Sequence, residues 1–301
     1  MGMRADHINL ADGRRLSYAE TGPRHGFPVV YCHGAIGSSL ERSVALEAIT
    51  WELGVRYVTV SRPGFGASDC SPGRSVLGFA ADVRQLADAL ALQRFGVLGV
   101  SAGGAYALAL AYALPGRVER VALCSALSPL WPHQAGGISL RNGLALRFLA
   151  RAPGACAALG DAMLPLIRRH PDLLSRLIAV HAAPSERPRL SEPAERRAAS
   201  TSFIEASAGG VRGMVDDYLT CARYWGFSPA DIDAEVHLWH GLTDRLICID
   251  DALALAASLP RCRIFVDLNE GHHFFRRRLA EILATLVDGR VHRGVAAKSA
   301  A

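Results

Sequence analysis

Short apolar, β-favouring runs alternate with stretches of helical spacing along the first part of the chain. Pro28 to Cys32, Val55 to Val60, Phe95 to Val100 and Val118 to Cys124 are the clearest of these runs. That alternation predicts a mostly parallel central sheet with helices on both faces. Upstream, His7 to Leu10 and Arg14 to Glu20 flank Asp12-Gly13, a strong hairpin signal. The run ending at Val100 stops abruptly at Ser101, and the small residues Ala102 to Ala113 then favour helix.

From about Ser128 to Phe227 the alternation fails, and the chain becomes helical and irregular, with Arg, Ala and Pro throughout. Strand, helix, strand and helix then resume at Glu235 to His240, Asp250 to Leu259, Arg261 to Leu268 and Phe274 to Val287. The expected organisation is one α/β core, residues 1–127 and 229–289, interrupted by a helical insertion over 128–228. The small, polar tail 290–301 is expected to be disordered.

With 301 residues, half of them hydrophobic and a fifth charged, the chain can bury a large core without metal or disulfides. Its seven cysteines are odd in number and form no C-x-x-C pair, which favours reduced thiols and a cytoplasmic location. The N-terminus has no signal-peptide pattern, and no stretch reaches the roughly 18 apolar residues of a membrane span. Net charge is +5, yet Lys298 is the single lysine, so the excess reads as a coding bias towards arginine. Arg276, Arg277 and Arg278 read as the solvated face of a terminal helix, and nucleic acid is not an expected partner. The oligomeric state is open, a homodimer included.

The chemistry concentrates in Gly99-Val100-Ser101-Ala102-Gly103, a G-x-S-x-G between a strand and a helix. A serine on such a turn projects its hydroxyl above the sheet edge, and the flanking glycines avoid clashes that a Cβ would cause. The bland alternative is a helix-capping serine. A dinucleotide site is disfavoured, because Ser101 replaces the second glycine of G-x-G-x-x-G and no carboxylate ends the next strand. A nucleophilic serine needs an imidazole and an orienting carboxylate. Asp244 follows the strand Glu235 to His240, and the adjacent His272 and His273 follow Arg261 to Leu268. Either histidine fits the base at this stage, whereas His33, His237 and His240 read as structural. Ala102 and one of Gly34, Ala35 and Ile36, with Ala35 preferred, are the candidate oxyanion donors. No H-E-x-x-H occurs, and no metal or other cofactor is implied.

His33-Gly34, Arg62-Pro63-Gly64-Phe65-Gly66-Ala67-Ser68, Gly99 to Gly104, Trp239-His240-Gly241-Leu242-Thr243-Asp244 and Gly271-His272 resemble, in this order, the motifs of the α/β-hydrolase superfamily. The resemblance covers the core and is to small esterase-like members with a helical cap. It implies Ser101 as nucleophile, His272 rather than His273 as base and Asp244 as acid. The serine disfavours the chemistry of related dehalogenases and epoxide hydrolases, which use aspartate. The implied function is cleavage of a carboxylic ester of a small, largely apolar acyl substrate. Carbon-carbon hydrolysis, lactone opening, peracid formation and slow-turnover ligand binding use the same framework and stand as alternatives. Ile36, Trp131 and Trp225 are the candidate pocket residues. Phe203, Tyr218, Tyr224 and Phe227 are further aromatics of the insertion that could line it.

Overall fold

A computed structural model describes residues 2–41, 45–129 and 147–288. β1 (Arg4–Asn9) and β2 (Arg15–Thr21) form the expected hairpin, with Ile8 opposite Leu16 and Gly13 at φ +86° in the turn. The strands β3 (Phe27–Cys32), β4 (Val55–Val60), β5 (Phe95–Val100), β6 (Val118–Cys124), β7 (Glu235–Gly241) and β8 (Cys262–Asp267) complete one sheet. Its order is β1-β2-β4-β3-β5-β6-β7-β8. β2 joins β4 antiparallel, and every pairing from β4 to β8 is parallel. The predicted strands fall on these elements with small differences at their ends.

Helix α1 (Leu46–Glu52) lies between β3 and β4, α2 (Val76–Ala89) between β4 and β5, and α3 (Gly103–Ala113) between β5 and β6. Between β6 and β7 come α4 (Pro153–Arg169), α5 (Pro171–His181), α6 (Arg187–Leu190), α7 (Pro193–Ala206) and α8 (Arg212–Cys221). Helices α9 (Ile249–Ser258) and α10 (Phe275–Asp288) flank β8. The tail expected to be disordered lies outside the described residues. Among those described, no helix is long and apolar enough to cross a membrane.

Alternate strand residues feed two cores, as the two-residue period of a strand requires. Val30, Cys32, Phe95 and Val97 join the core under α2 and α3, whereas Val29, Tyr31, Leu98 and Val100 join the one under α1 and α10. Residues Gly103 to Ala111 of α3 are all buried. Burial on every side explains why that helix is apolar all round. A third cluster, including Ile167, Phe203 and Met214, lies among the inserted helices and reaches Phe65 of the core.

The order of strands fixes where a ligand can bind. From β3 the chain moves to β4 on one side and returns as β5 on the other. Loops leaving β3 and β5 therefore diverge at their carboxyl ends and open a crevice there.

Candidate active site

Ser101 closes β5 at that crevice. Its φ of +54° lies in the left-handed region, an uncommon position for a residue with a side chain. Three backbone hydrogen bonds hold it there. Its N–H donates to Cys124 O at 3.0 Å, and its C=O accepts from Gly104 N and Leu127 N, both at 3.0 Å. The exit of β6 thus braces the turn on both sides. The glycines matter sterically: a Cβ on Gly99 would lie 2.6 Å from Ala107 Cβ, and one on Gly103 only 2.0 Å from Cys32 O. Gly103→Ala would drive α3 against the backbone of β3, with an expected loss of about 3 kcal/mol or more. Urea unfolding of the variant would measure it.

Asp244 and His272 meet across the ends of β7 and β8. His272 Nδ1 lies 2.8 Å from Asp244 Oδ2, with the carboxylate fully buried and the imidazole nearly so. Asp244 Oδ1 accepts from Leu246 N at 2.8 Å and Ile247 N at 3.0 Å, so the group is oriented before it meets the ring. Burial pushes the Asp244 carboxyl up, but the charge and hydrogen bond of His272 and the two N–H donors outweigh it and leave its pKa at about 2. With that carboxylate ionised, Nδ1 carries the shared proton and Nε2 is the basic atom.

The two histidines differ sharply in electrostatics. Burial pulls His272 down, yet the charge and hydrogen bond of Asp244, with Glu186 beyond, raise it above the ordinary histidine value. Burial pulls His273 down as well, and the positive charges of His272, Arg276 and Arg189 push it further, to about 3. Only His272 is partnered by Asp244 through a hydrogen bond.

Ser101 and His272 line one cavity of about 350 Å³, a volume typical of small-molecule sites. No direct hydrogen bond joins the two side chains among the described residues, and such contacts commonly tighten only around substrate. Ala35 lines the same cavity, and Ala102 follows Ser101 at the head of α3. Among the described residues, no backbone or side-chain acceptor takes the N–H of Ala35 or Ala102.

Of the candidate pocket residues, Ile36 lines the cavity and Trp131 lies outside the described residues. Trp225 does not line it: the side chain is 1% exposed, packs near Phe227 in the core under α2 and α3, and donates its indole N–H to Cys221 O at 2.9 Å. The segment after α8 turns back towards β7 and carries Trp225 away from the crevice. Of the further aromatics of the insertion Tyr218 lines the cavity, joined by Phe275 of α10; Phe203 and Phe227 are core residues and Tyr224 is mostly exposed. Aliphatic residues that sequence reading missed, among them Leu174, Leu177, Ile178 and Leu190, line the cavity as well. Their helical spacing alone gave no sign of which face they present.

The arginine cluster is also corrected. Arg276 lines the cavity between Glu41 (3.3 Å) and Glu195 (3.4 Å), Arg277 meets Glu270 at 2.5 Å, and Arg278 pairs with Glu281 at 2.8 Å. Each is ion-paired, with partners from the loop after β3 (Glu41), from α7 (Glu195), from the loop after β8 (Glu270) and from α10 itself (Glu281). Arg276, 13% exposed, is drawn away from the solvated face expected for it, whereas Arg277 stays 58% exposed.

A buried ion cluster under the β3 loop had no local sequence signal. Arg62, fully buried, donates through Nε and Nη2 to the two oxygens of Asp217 on α8, both at 2.9 Å. It also donates to His33 O and, at 3.0 Å, to Gly34 O. Tyr106 Oη donates to Asp217 at 2.7 Å, and Arg74 lies 3.5 Å from it. His33, one of the three histidines read as structural, accepts from Arg62 N at 3.3 Å through Nε2 and contacts Gly34 O at 2.7 Å through Nδ1. Burial, with Arg62 nearby, holds its pKa well below the ordinary value, so the ring is neutral. The carbonyls at 33 and 34 are thereby turned to Arg62, which fixes the loop that presents Ala35. His237 meets Glu235 at 3.2 Å, and His240 meets Ile247 O at 3.2 Å beside Asp244.

Comparison with known proteins agrees with this architecture. The sequence model of a family described as alpha/beta hydrolase fold matches residues 28–276. A 2-hydroxy-6-oxononadienedioate/2-hydroxy-6-oxononatrienedioate hydrolase of Pseudomonas putida is 30% identical over 226 residues, 73% of this chain and 71% of that protein. The enol-lactonase of Burkholderia xenovorans LB400 superposes with a TM-score of 0.70 at 21% identity, covering 94% of this chain and 98% of its own. An esterase of Exiguobacterium antarcticum does so at 0.68 and 21%, covering 95% and 99%. Matched along most of its length by the family's sequence model, and carrying the crevice, strand order and turn just described, this chain belongs to the α/β-hydrolase family.

Proposed function

We propose that the protein is a serine hydrolase that cleaves a carboxylic ester, or a related acyl bond, of a small and largely apolar substrate through an acyl-enzyme on Ser101. One observation carries the reading: an imidazole oriented at 2.8 Å by a buried carboxylate shares a cavity with a serine on a left-handed turn. His272 Nε2 takes the Ser101 proton as Oγ attacks the acyl carbonyl, and the N–H groups of Ala35 and Ala102 receive the oxyanion. The imidazolium then protonates the leaving alcohol, and water, deprotonated by the same ring, releases the acid. Residues 128–228 act as a cap over the core formed by 1–127 and 229–289.

The wall chemistry supports a neutral substrate. Leucines and isoleucines are its largest group among the described residues, where the one arginine is shared by two glutamates. Among those described side chains one carboxylate is left in excess, a poor match for a substrate with two carboxylates such as the dienedioate named for the Pseudomonas putida relative. Short and medium acyl esters should therefore turn over faster than their acidic counterparts.

Labelling with a fluorophosphonate and locating the modified residue by mass spectrometry tests the nucleophile; modification anywhere but Ser101 defeats the proposal. Because His272 must be neutral to accept a proton and the Asp244 carboxylate holds its pKa above the ordinary histidine value, kcat/KM should climb with pH through a midpoint above that of an ordinary imidazole. A profile of ester hydrolysis against pH would read that midpoint, and one centred below 6 would contradict the assignment of the base.

A further inference from the structure

The loop that carries His272 is gripped by the inserted helices. Glu186, 1% exposed at the start of α6, accepts His273 N–H through Oε1 at 2.6 Å and Ala183 N–H through Oε2 at 3.1 Å. From the following turn, Arg189 Nη2 donates to His273 O at 2.8 Å. Both polar groups of residue 273 are thus taken by a short stretch of the insertion. The approach is so close that a Cβ on Gly271 would lie 2.5 Å from Glu186 Oε2 and 2.7 Å from Ala183 Cβ. A carboxylate is a costly group to bury at a junction that apolar side chains could fill.

We infer that Glu186 and Arg189 are positioning residues for the base: they fix the peptide after His272 and place a second negative charge beside its imidazole. The inference rests on the reading of His272 as base. Both Glu186 oxygens accept hydrogen bonds, the pattern of an ionised carboxylate. Burial raises the Glu186 pKa, against the pull of the two N–H donors and of His272, with Glu270 adding to the rise. The groups facing His272 are Asp244 and His240 from the end of β7, Glu186 from the insertion and His273 beside it. Arg189 and Arg276 act on His273, and Arg277 pairs with Glu270 at the margin. Within this set, Asp244 and Glu186 are the carboxylates that raise the base.

The rate of Ser101 labelling by a fluorophosphonate, followed from acid to alkaline pH on the full chain, reads the base without knowledge of the substrate. Glu186→Gln should lower the alkaline plateau about tenfold and move the midpoint down by about 0.5 unit or more, as loss of a nearby anion requires. Arg189→Gln, which keeps the anion, should lower the plateau with no downward shift. A Glu186→Gln midpoint equal to the native one overturns the inference, whatever its plateau. If that variant does not fold, a native plateau in Arg189→Gln overturns the clamp. His272→Ala separates the two readings: native labelling in that variant removes the base assignment itself, whereas its loss beside a native-like Glu186→Gln removes the clamp alone.

Discussion

Ser101→Ala is expected to lower hydrolysis of p-nitrophenyl esters by about five orders of magnitude while the chain stays folded, since removal of a triad nucleophile in other serine hydrolases has effects of that order. His272→Ala should fall nearly as far, because base and nucleophile act as a unit and their losses do not add. His273→Ala should keep most of its activity: its ring has no bond to Asp244, and burial with its cationic neighbours holds its pKa at about 3. Steady-state rates for the three variants decide the matter. Should His273→Ala be the inactive one, the base role passes to it, and turnover by Ser101→Ala near the native rate would end the acyl-enzyme proposal.

The second large effect concerns stability. Asp217→Asn should destabilise the protein by about 3–5 kcal/mol, because Arg62 would keep its charge with no exposure while Arg74, the second cation beside the lost carboxylate, loses the same partner. Arg62→Met should cost less, because Asp217 would keep Arg74 at 3.5 Å and the Tyr106 hydroxyl as partners. Activity should fall in both, since Arg62→Met takes from the carbonyls of His33 and Gly34 the guanidinium that orients the loop carrying Ala35, and Asp217→Asn removes the carboxylate that anchors that guanidinium. Equilibrium unfolding in urea measures the change, and a loss below about 1 kcal/mol would mean that the cluster relaxes or is hydrated.

What could be read in the sequence follows from the range of the interactions. The turn at Ser101 was legible because strand, glycines, serine and helix are contiguous, and the structure adds the braces from Cys124 and Leu127. Asp244 and His272 were legible as loop residues after strands, which the parallel sheet brings to one edge. Pairs between distant segments were not. Arg62 and Asp217 are 155 residues apart and His273 and Glu186 are 87 apart, and nothing local marks either pair. Trp225 was misplaced for a related reason: aromatic composition says that a side chain is buried, not which core receives it. The ends of strands came close because apolar runs report them directly, whereas the seven-residue α1 is too short to display a period.

The anchoring of α8 sets how the cavity can admit a substrate. Drawing Asp217 away from Arg62 would strand two unhydrated charges at a cost of about 3–5 kcal/mol, so fewer than about one molecule in a hundred would be parted at that joint. A substrate that needs the insertion to part from the core should therefore find α8 held as a piece of the sheet's own framework, the fixed jamb of the doorway.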